Sequence, residues 1–545
     1  MLFNSYQFIL GFLPVTVALF YVLGRHSRTA ALRWVICASL VFYAWWRPLN
    51  VAIIVPSILI NFAIARRLQR LAADDTKERA AQITLTIGVL FNIAFLGYFK
   101  YTNFLADAAN DAFGTHFVLT QIILPLGISF ITFQKIAFLI DVHGRRVEQF
   151  TFSDYGLFVL FFPQLIAGPI VHYREVMPQF ERATCRFDAT SFAVGATLFF
   201  FGLFKKAFLA DGVAPYVTPI YERAAHGDPV SLVPAVLAAL GFTMQIYFDF
   251  SGYSDMAIGI ARLFGVRLPA NFDSPLRASS IIDYWLRWHM TLSRFLTAYV
   301  YNPLLLRLTR ARLARGLPAL GGRNATFSAF LTLLAFPTIV TMAVSGLWHG
   351  AGYTFIVWGL LHGVFLTLNH GWRLLKARWK PVPTKTPTRA ATFRGWLLTF
   401  VCVVLAMVFF RAPTLSGAGV LLKGLVGGYG IGLPVSIFEH AGPLARLLER
   451  TGGTAETWWG AEHLIMLTGW TLALLALALL SPNSAQLLAR YEPALGLRSA
   501  VRAEVRPLRP LLWTPSLKWA IAVALVAYAA ILRLGGPSEF LYWQF

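Results

Sequence analysis

Charge is scarce in this 545-residue chain: Asp, Glu, Lys and Arg make up only 13% of it. Ordinary globular chains carry roughly a quarter. That deficit excludes the string of soluble domains that the length alone would permit. Cysteine is scarcer still. Cys37, Cys185 and Cys402 stand alone and far apart, which excludes a disulfide framework and any cysteine metal pattern. Acidic residues are few as well, 25 against 47 basic ones, for a net charge of +22. Such an excess invites a nucleic-acid partner, yet the basic residues sit in short loops between apolar runs and form no basic module of their own. Anionic lipid headgroups are the expected partners, and nucleic acid is not. The chain also lacks a P-loop, a dinucleotide fingerprint, a Gly-x-Ser-x-Gly elbow and a His-Glu-x-x-His pair. It shows no repeat of fixed period and no inverted symmetry of the kind carriers use.

What it has in quantity is apolar sequence: 57% hydrophobic and 15% aromatic residues, in runs of about the 20 residues that cross a bilayer. The fold class that follows is all-α, a polytopic membrane bundle of one domain over residues 1–545. About twelve spans are expected, near 3–23, 31–46, 50–65, 81–99, 120–141, 190–210, 230–250, 325–345, 352–371, 394–410, 461–481 and 516–534. The first run has no basic n-region and no small-residue cleavage site, and reads as a retained span. Basic groups hold loops on the cytoplasmic side. Here they are Arg25, Arg28 and Arg33; Arg66 to Arg79; Arg145 and Arg146; Arg307 to Arg323; Arg373 to Arg394; and Arg498 to Arg509. Twelve alternating spans satisfy all of them with both termini outside.

Two stretches resist simple spanning. Residues 152–172 end in Phe162-Pro163-Gln164-Leu165-Ile166-Ala167-Gly168-Pro169, which predicts a broken or re-entrant segment enclosed by protein or water. Residues 271–305 mix aromatics with Asp273, Arg277, Asp283, Arg287, His289 and Arg294, too polar to cross lipid alone. They read as a helix in the interface or dipping into the bundle. Both fall on the cytoplasmic side, and a cavity entered from there follows. The segment Pro381-Val382-Pro383-Thr384-Lys385-Thr386-Pro387 reads as a linker, and 411–460 as a larger outer loop with an amphipathic piece near 416–426.

Two histidines in apolar surroundings mark the candidate site, because an ionisable ring at membrane depth is costly and needs a reason. His349 lies in Ser345-Gly346-Leu347-Trp348-His349-Gly350, where the glycines allow close backbone approach. Imidazole moves protons near neutral pH, so His349 could take one from an attacking hydroxyl. The rival reading is a histidine merely packed across helices. His289 follows Trp285-Leu286-Arg287-Trp288, and helical spacing would put Trp285, Trp288 and His289 on one face. It reads as a positioning or acid–base group beside arginines that suit phosphates; the rival is a helix anchored in headgroups by tryptophan and arginine. Asp249 and Asp255, in Gln245-Ile246-Tyr247-Phe248-Asp249-Phe250-Ser251-Gly252-Tyr253-Ser254-Asp255, need partners at the end of an apolar span. Cavity arginines or an imidazole are the expected ones. Asn271 in the next loop has the same standing. A zinc site from His349, His362 and His370 lacks the required spacing, and no metal is expected.

At these residues the chain resembles the membrane-bound O-acyltransferase family, and within it the branch containing the membrane subunit of bacterial alginate O-acetylation. The matching pieces are Leu124-Pro125-Leu126-Gly127-Ile128-Ser129-Phe130, Thr132-Phe133-Gln134, Asp141-Val142-His143, Phe162 to Ile170, Tyr173-Arg174 and Gln245 to Asp255. Trp285 to His289 with Ser293, Gly346 to Gly350, Phe410-Arg411-Ala412 and Tyr542-Trp543-Gln544-Phe545 complete them. The resemblance implies helices around a central tunnel and an acyl transferase with His349 and His289 as its functional histidines. Substrate contacts are then expected from Trp348, Trp285, Trp288, Arg287, Arg174, Asp249, Asp255 and Asn271. The resemblance further implies acetyl-CoA or another acyl thioester as donor with no bound cofactor, an exported polysaccharide as acceptor, a periplasmic acetyltransferase partner, and the bacterial inner membrane as location. His349 would serve as base or as transient acyl carrier. D-alanyl transfer to an envelope polymer, a transporter that makes no bonds, and a scaffold for an export complex stay open as alternatives.

Overall fold

The computed structural model describes residues 1–120, 122–182, 185–319, 326–379, 388–440, 442–450, 452–497, 511–536 and 541. The linker Pro381 to Pro387, the ending Tyr542 to Phe545, and Arg323, Lys380, Lys385, Arg498, Arg502, Arg506 and Arg509 lie outside these residues. The described chain is helical apart from two-residue strands, Leu433–Pro434 and Ala455–Glu456, paired in parallel. Side-chain oxygens start many of the helices. Ser27, Asp188, Thr326, Thr388 and Thr414 each sit in extended backbone and accept from an amide in the first turn.

Every expected span has a helical counterpart, and among the described residues eight helices are long and apolar enough to cross a membrane. Arg28–Ala44, Ile128–His143 and Leu517–Ile531 stop at 17, 16 and 15 residues, short of the usual requirement of about 20. Ile128–His143 is short because Pro125 and Gly127 end the preceding turn, and Gly127 has φ +66°. A Cβ at Gly127 would also press on Ile166 Cα at 3.2 Å, so the position suits glycine on both counts. Tyr353–Trp379 is long enough, but His362, Asn369 and His370 dilute its apolar half. The expected outer loop 411–460 contains a capped helix, Leu415–Leu425, packed on Asp211–Ala225 and Leu232–Leu263.

Glycine pairs fix the helix contacts that matter for the site. Gly195 and Gly202 of Ala189–Phe204 face Gly259 and Gly252 of Leu232–Leu263; a Cβ on Gly252 or Gly259 would meet the opposite glycine's carbonyl at 2.7 and 2.6 Å. Phe336–His349 and Tyr353–Trp379 meet the same way. A Cβ on Gly346 would collide with the Phe355 carbonyl, and one on Gly359 with that of Met342. Backbones this close gain dispersion contacts that lipid cannot supply. The two helices form a tight hairpin, and His349 is the last residue of the first.

The broken stretch is as the sequence suggests. Phe152–Leu160 ends at Phe161, whose ψ of 105° leaves the helical region, and one turn, Phe162–Leu165, follows. All of Tyr155 to Val171 is buried, so irregular backbone is enclosed by protein rather than by lipid. Residues 271–305 differ from expectation. Their first half is broken into Pro275–Arg277 and Ile281–Trp285, and only from Met290 does helix run without a gap, through Met290–Leu296, the π-turn Thr297–Tyr301 and Asn302–Leu313.

Candidate active site

The helix Ile281–Trp285 stops at Trp285, and His289 becomes the residue that starts Met290–Leu296, with φ +41° and ψ 52°. Trp285, Trp288 and His289 therefore do not share one helical face; the break turns the imidazole inward instead. A left-handed conformation at a side chain as large as histidine is strained and persists only where its surroundings dictate it. Here they do. Met290 N donates to Asn271 O at 2.9 Å, and Asp273 N to Arg287 O at 3.0 Å, zipping the 271–273 loop onto the break.

Asn271 then fixes the ring. Its Oδ1 accepts from Thr291 N at 3.3 Å and from Thr291 Oγ1 at 2.8 Å, while its Nδ2 donates to Ser254 Oγ at 3.1 Å. The backbone donor identifies Oδ1 as the acceptor atom. His289 Nδ1, 3.0 Å from the same oxygen, must donate to it. In the neutral ring Nε2 is then the lone-pair nitrogen. Thr291 Oγ1 also accepts from Ile170 N at 3.0 Å. One polar network thus ties the broken 162–170 stretch, the 245–255 segment and the 271–291 loop to His289. Replacing Asn271 with Leu should leave a buried Nδ1–H without its acceptor and cut kcat roughly ten- to hundredfold, the usual cost of losing a group that orients a site residue. Asn271→Asp keeps the acceptor and should retain most of the rate. Equal rates in all three proteins would contradict the role assigned to Asn271.

His349 closes the other side. Its ring centroid lies 6.2 Å from that of His289, 5.0 Å from Trp358 and 5.2 Å from Phe410. Both imidazoles are buried. Trp348 stacks on Phe133 at 5.3 Å and reaches the His289 ring at 5.9 Å; Phe250 meets His289 edge-on at 4.7 Å. Trp288 packs on Tyr284 and Phe272, and Trp285 on Trp358 and His362. The three tryptophans singled out in the sequence form one aromatic cage with both histidines.

The end of the His349 helix is held from outside the cage. Tyr101 Oη donates to Leu347 O at 2.7 Å, and Lys100 Nζ to Trp348 O and, at 3.2 Å, to His349 O. These carbonyls have no partner within the helix, and an ammonium suits the negative end of its dipole. Lys100, a lone lysine inside an apolar run, was the signal for this contact. Thr291, Ser254, Trp358 and Phe250 carried no comparable signal.

Next to the cage is a cavity of about 490 Å³, lined by Trp285, Met290, Thr291, Ser293 and Arg294 together with Pro269, Asn302 and Leu495. Arg294 there is clasped by both oxygens of Glu175 at 2.7 and 2.9 Å. Arg287 is held one turn back on Asp283 at 3.1 Å, and Arg174 is exposed. Arg174 neighbours a separate cluster in which Tyr299 Oη contacts His172 Nδ1 at 3.1 Å and Asp141 at 3.3 Å. Burial, with Arg294 beside it, holds His172 below the usual imidazole range.

Asp249 and Asp255 take lysines, not the expected arginines or an imidazole. Lys206 bridges Asp249 at 2.7 Å and Asp211 at 2.6 Å, while Lys205 meets Asp255 at 2.6 Å, joined by Ser484. Two consecutive lysines at the start of the π-turn Lys205–Ala210 supply the charge, so no arginine has to cross from the loops. The carboxylates brace the helices behind the cage.

Residues 145–317 match the model of the membrane-bound O-acyltransferase family. The chain is 37% identical over 462 residues to the peptidoglycan O-acetyltransferase of Helicobacter pylori, covering 79% of this chain and 81% of that protein. It is 38% identical over 426 residues to the probable alginate O-acetylase AlgI of Pseudomonas aeruginosa, 77% of this chain and 73% of that one. To the teichoic acid D-alanyltransferase of Streptococcus thermophilus it is 27% identical over 296 residues, 52% and 68% of the two chains.

Proposed function

This chain belongs to the membrane-bound O-acyltransferase family and is a membrane O-acyltransferase, and on that premise we propose that it moves an acetyl group from a cytoplasmic thioester to hydroxyls of an exported polysaccharide. The relatives named for alginate and peptidoglycan O-acetylation support the acetyl group and the polysaccharide. The more distant D-alanyltransferase makes an amino-acyl donor the second reading. The observation that carries the proposal is the pair of imidazoles 6.2 Å apart in an aromatic cage beside a cavity. The protein sits in the inner membrane with both termini outside, acts as one domain over 1–545, and hands its product to a periplasmic acetyltransferase.

Acyl transfer to a hydroxyl needs proximity, a proton acceptor and stabilisation of the developing oxyanion. The thioester enters through the cavity beside Trp285, its phosphates drawn by Arg174 and Arg287 nearby and its acyl end guided toward the cage of Trp285, Trp288 and Trp348. His349 takes the proton of the attacking hydroxyl. The lone pair on His289 Nε2 accepts from a neighbouring hydroxyl, which suits an acceptor rich in them. Asn271 keeps that nitrogen free of the proton by holding the N–H on Nδ1, and Asp249 and Asp255 hold the wall in place through their lysines. Deleting the gene should strip O-acetyl groups from an envelope polysaccharide, and the intact gene, but not His349→Ala, should restore them. Unchanged O-acetylation in the deletion strain would reject the proposed acceptor.

A further inference from the structure

Several buried N–H donors in the cage have no hydrogen-bond acceptor. Trp285 Nε1 lies 3.3 Å from His362 Nδ1. An indole N–H only donates, so Nδ1 of His362 carries the lone pair and the neutral ring holds its proton on Nε2. That nitrogen is buried and without a hydrogen-bond partner, and so is Nε1 of Trp358. Trp358 and His362 lie four residues apart on Tyr353–Trp379, on one face. Trp358 stands 5.0 Å from the His349 ring and 4.9 Å from that of His362. Gly359, next to Trp358, docks this helix onto the one that ends at His349. The donors are therefore rigidly placed relative to the histidine.

A buried donor without an acceptor is costly, so two together call for a compensating partner. Neither group can accept as presented, so the missing partner is an oxygen that brings lone pairs and no proton. Resting on the acyl-transfer reading above, we propose that Trp358 Nε1–H and His362 Nε2–H receive the acyl carbonyl oxygen and stabilise its negative charge in the transition state. The hydroxyl oxygen forms a bond to the carbonyl carbon, the carbonyl π pair moves onto its oxygen, and the hydroxyl proton passes to His349. Collapse re-forms the carbonyl and breaks the carbon–sulfur bond. The thiolate leaves and takes the proton. Trp285 has a positioning role, since its indole dictates which nitrogen of His362 is the donor.

The competing assignment is structural: each N–H points at a ring face, as edge-on packing of Trp358 against His349 and His362 permits. Incorporating benzothienylalanine at 358 keeps the shape of tryptophan and removes its N–H. With an acetyl thioester and a polysaccharide acceptor, that protein should lose about 10²–10³ in kcat, the usual cost of one such donor, with KM for the donor nearly unchanged. A dithioester donor, whose C=S sulfur is a poor hydrogen-bond acceptor, should react slowly with the natural protein and discriminate far less in the variant. His362→Phe should repeat this pattern, and Trp285→Phe should give a smaller version of it. A variant with unaltered kcat and unaltered discrimination overturns the proposal, as does a parallel loss of kcat and thermal stability in the isosteric variant. Transfer by the natural protein that His349→Ala abolishes keeps the parent reading intact in either case, so its failure is separable from this one.

Discussion

His349→Ala, recovered folded from the membrane, should lose nearly all acyl transfer. A positioned base contributes about 10²–10⁴-fold, and under the proposed function its ring would also wall the reaction space, between His289, Trp358 and Phe410. Truncation removes the base and opens the cage to water. The fold should survive, because the helix end is secured by Tyr101 and Lys100 through backbone carbonyls at 347–349, not through the imidazole. His349→Gln offers a ring-free amide of similar polarity and should be almost as inactive. The check is the initial rate at saturating donor, alongside a thermal melt in detergent. A variant that melts like the natural protein and transfers at more than about a tenth of its rate would contradict the base role.

The largest effect on stability belongs to Lys206. Its ammonium is 1% exposed and lies between Asp249, equally buried, and Asp211. Lys206→Met removes the ammonium that the two carboxylates share and leaves them close together with like charge. Breaking one partner of a buried pair typically costs about 3–5 kcal/mol, against a total stability of about 5–15 kcal/mol for an ordinary domain. The variant should be recovered in poor yield, aggregate on size exclusion and melt well below the natural protein. Lys205→Met, at a pair 16–17% exposed and shared with Ser484, should do measurably less harm. A Lys206→Met protein with an unshifted melt would show that the triad does not hold these helices together.

The candidate-site segments were legible because membrane burial makes polarity conspicuous. His289 and His349 stood out against apolar neighbours, and so did the Pro163–Pro169 stretch, which is buried irregular backbone as expected. What periodicity could not show was the break after Trp285. The 281–289 run has helical spacing, and nothing local marks His289 as left-handed; the instruction comes from Asn271, 18 residues earlier, and from Thr291. The same is true of Asp249 and Asp255. Their need for a counter-charge is visible in sequence, but Lys205 and Lys206 arrive from another helix, brought close by glycine pairs whose partners only the fold identifies. The expected twelve runs and the eight long apolar helices among the described residues differ for a simpler reason: short helices such as Ile128–His143 borrow apolar length from turns that carry no helix.

Purified protein in detergent, supplied with radiolabelled acetyl-CoA and a soluble polysaccharide, tests the central claim most directly. Label should move to polysaccharide hydroxyls with the natural protein and stay on the donor with both His349→Ala and His289→Ala. Label carried equally well by the histidine variants, or remaining on the donor in every sample while the protein moves intact donor or acceptor across a vesicle membrane, would contradict it.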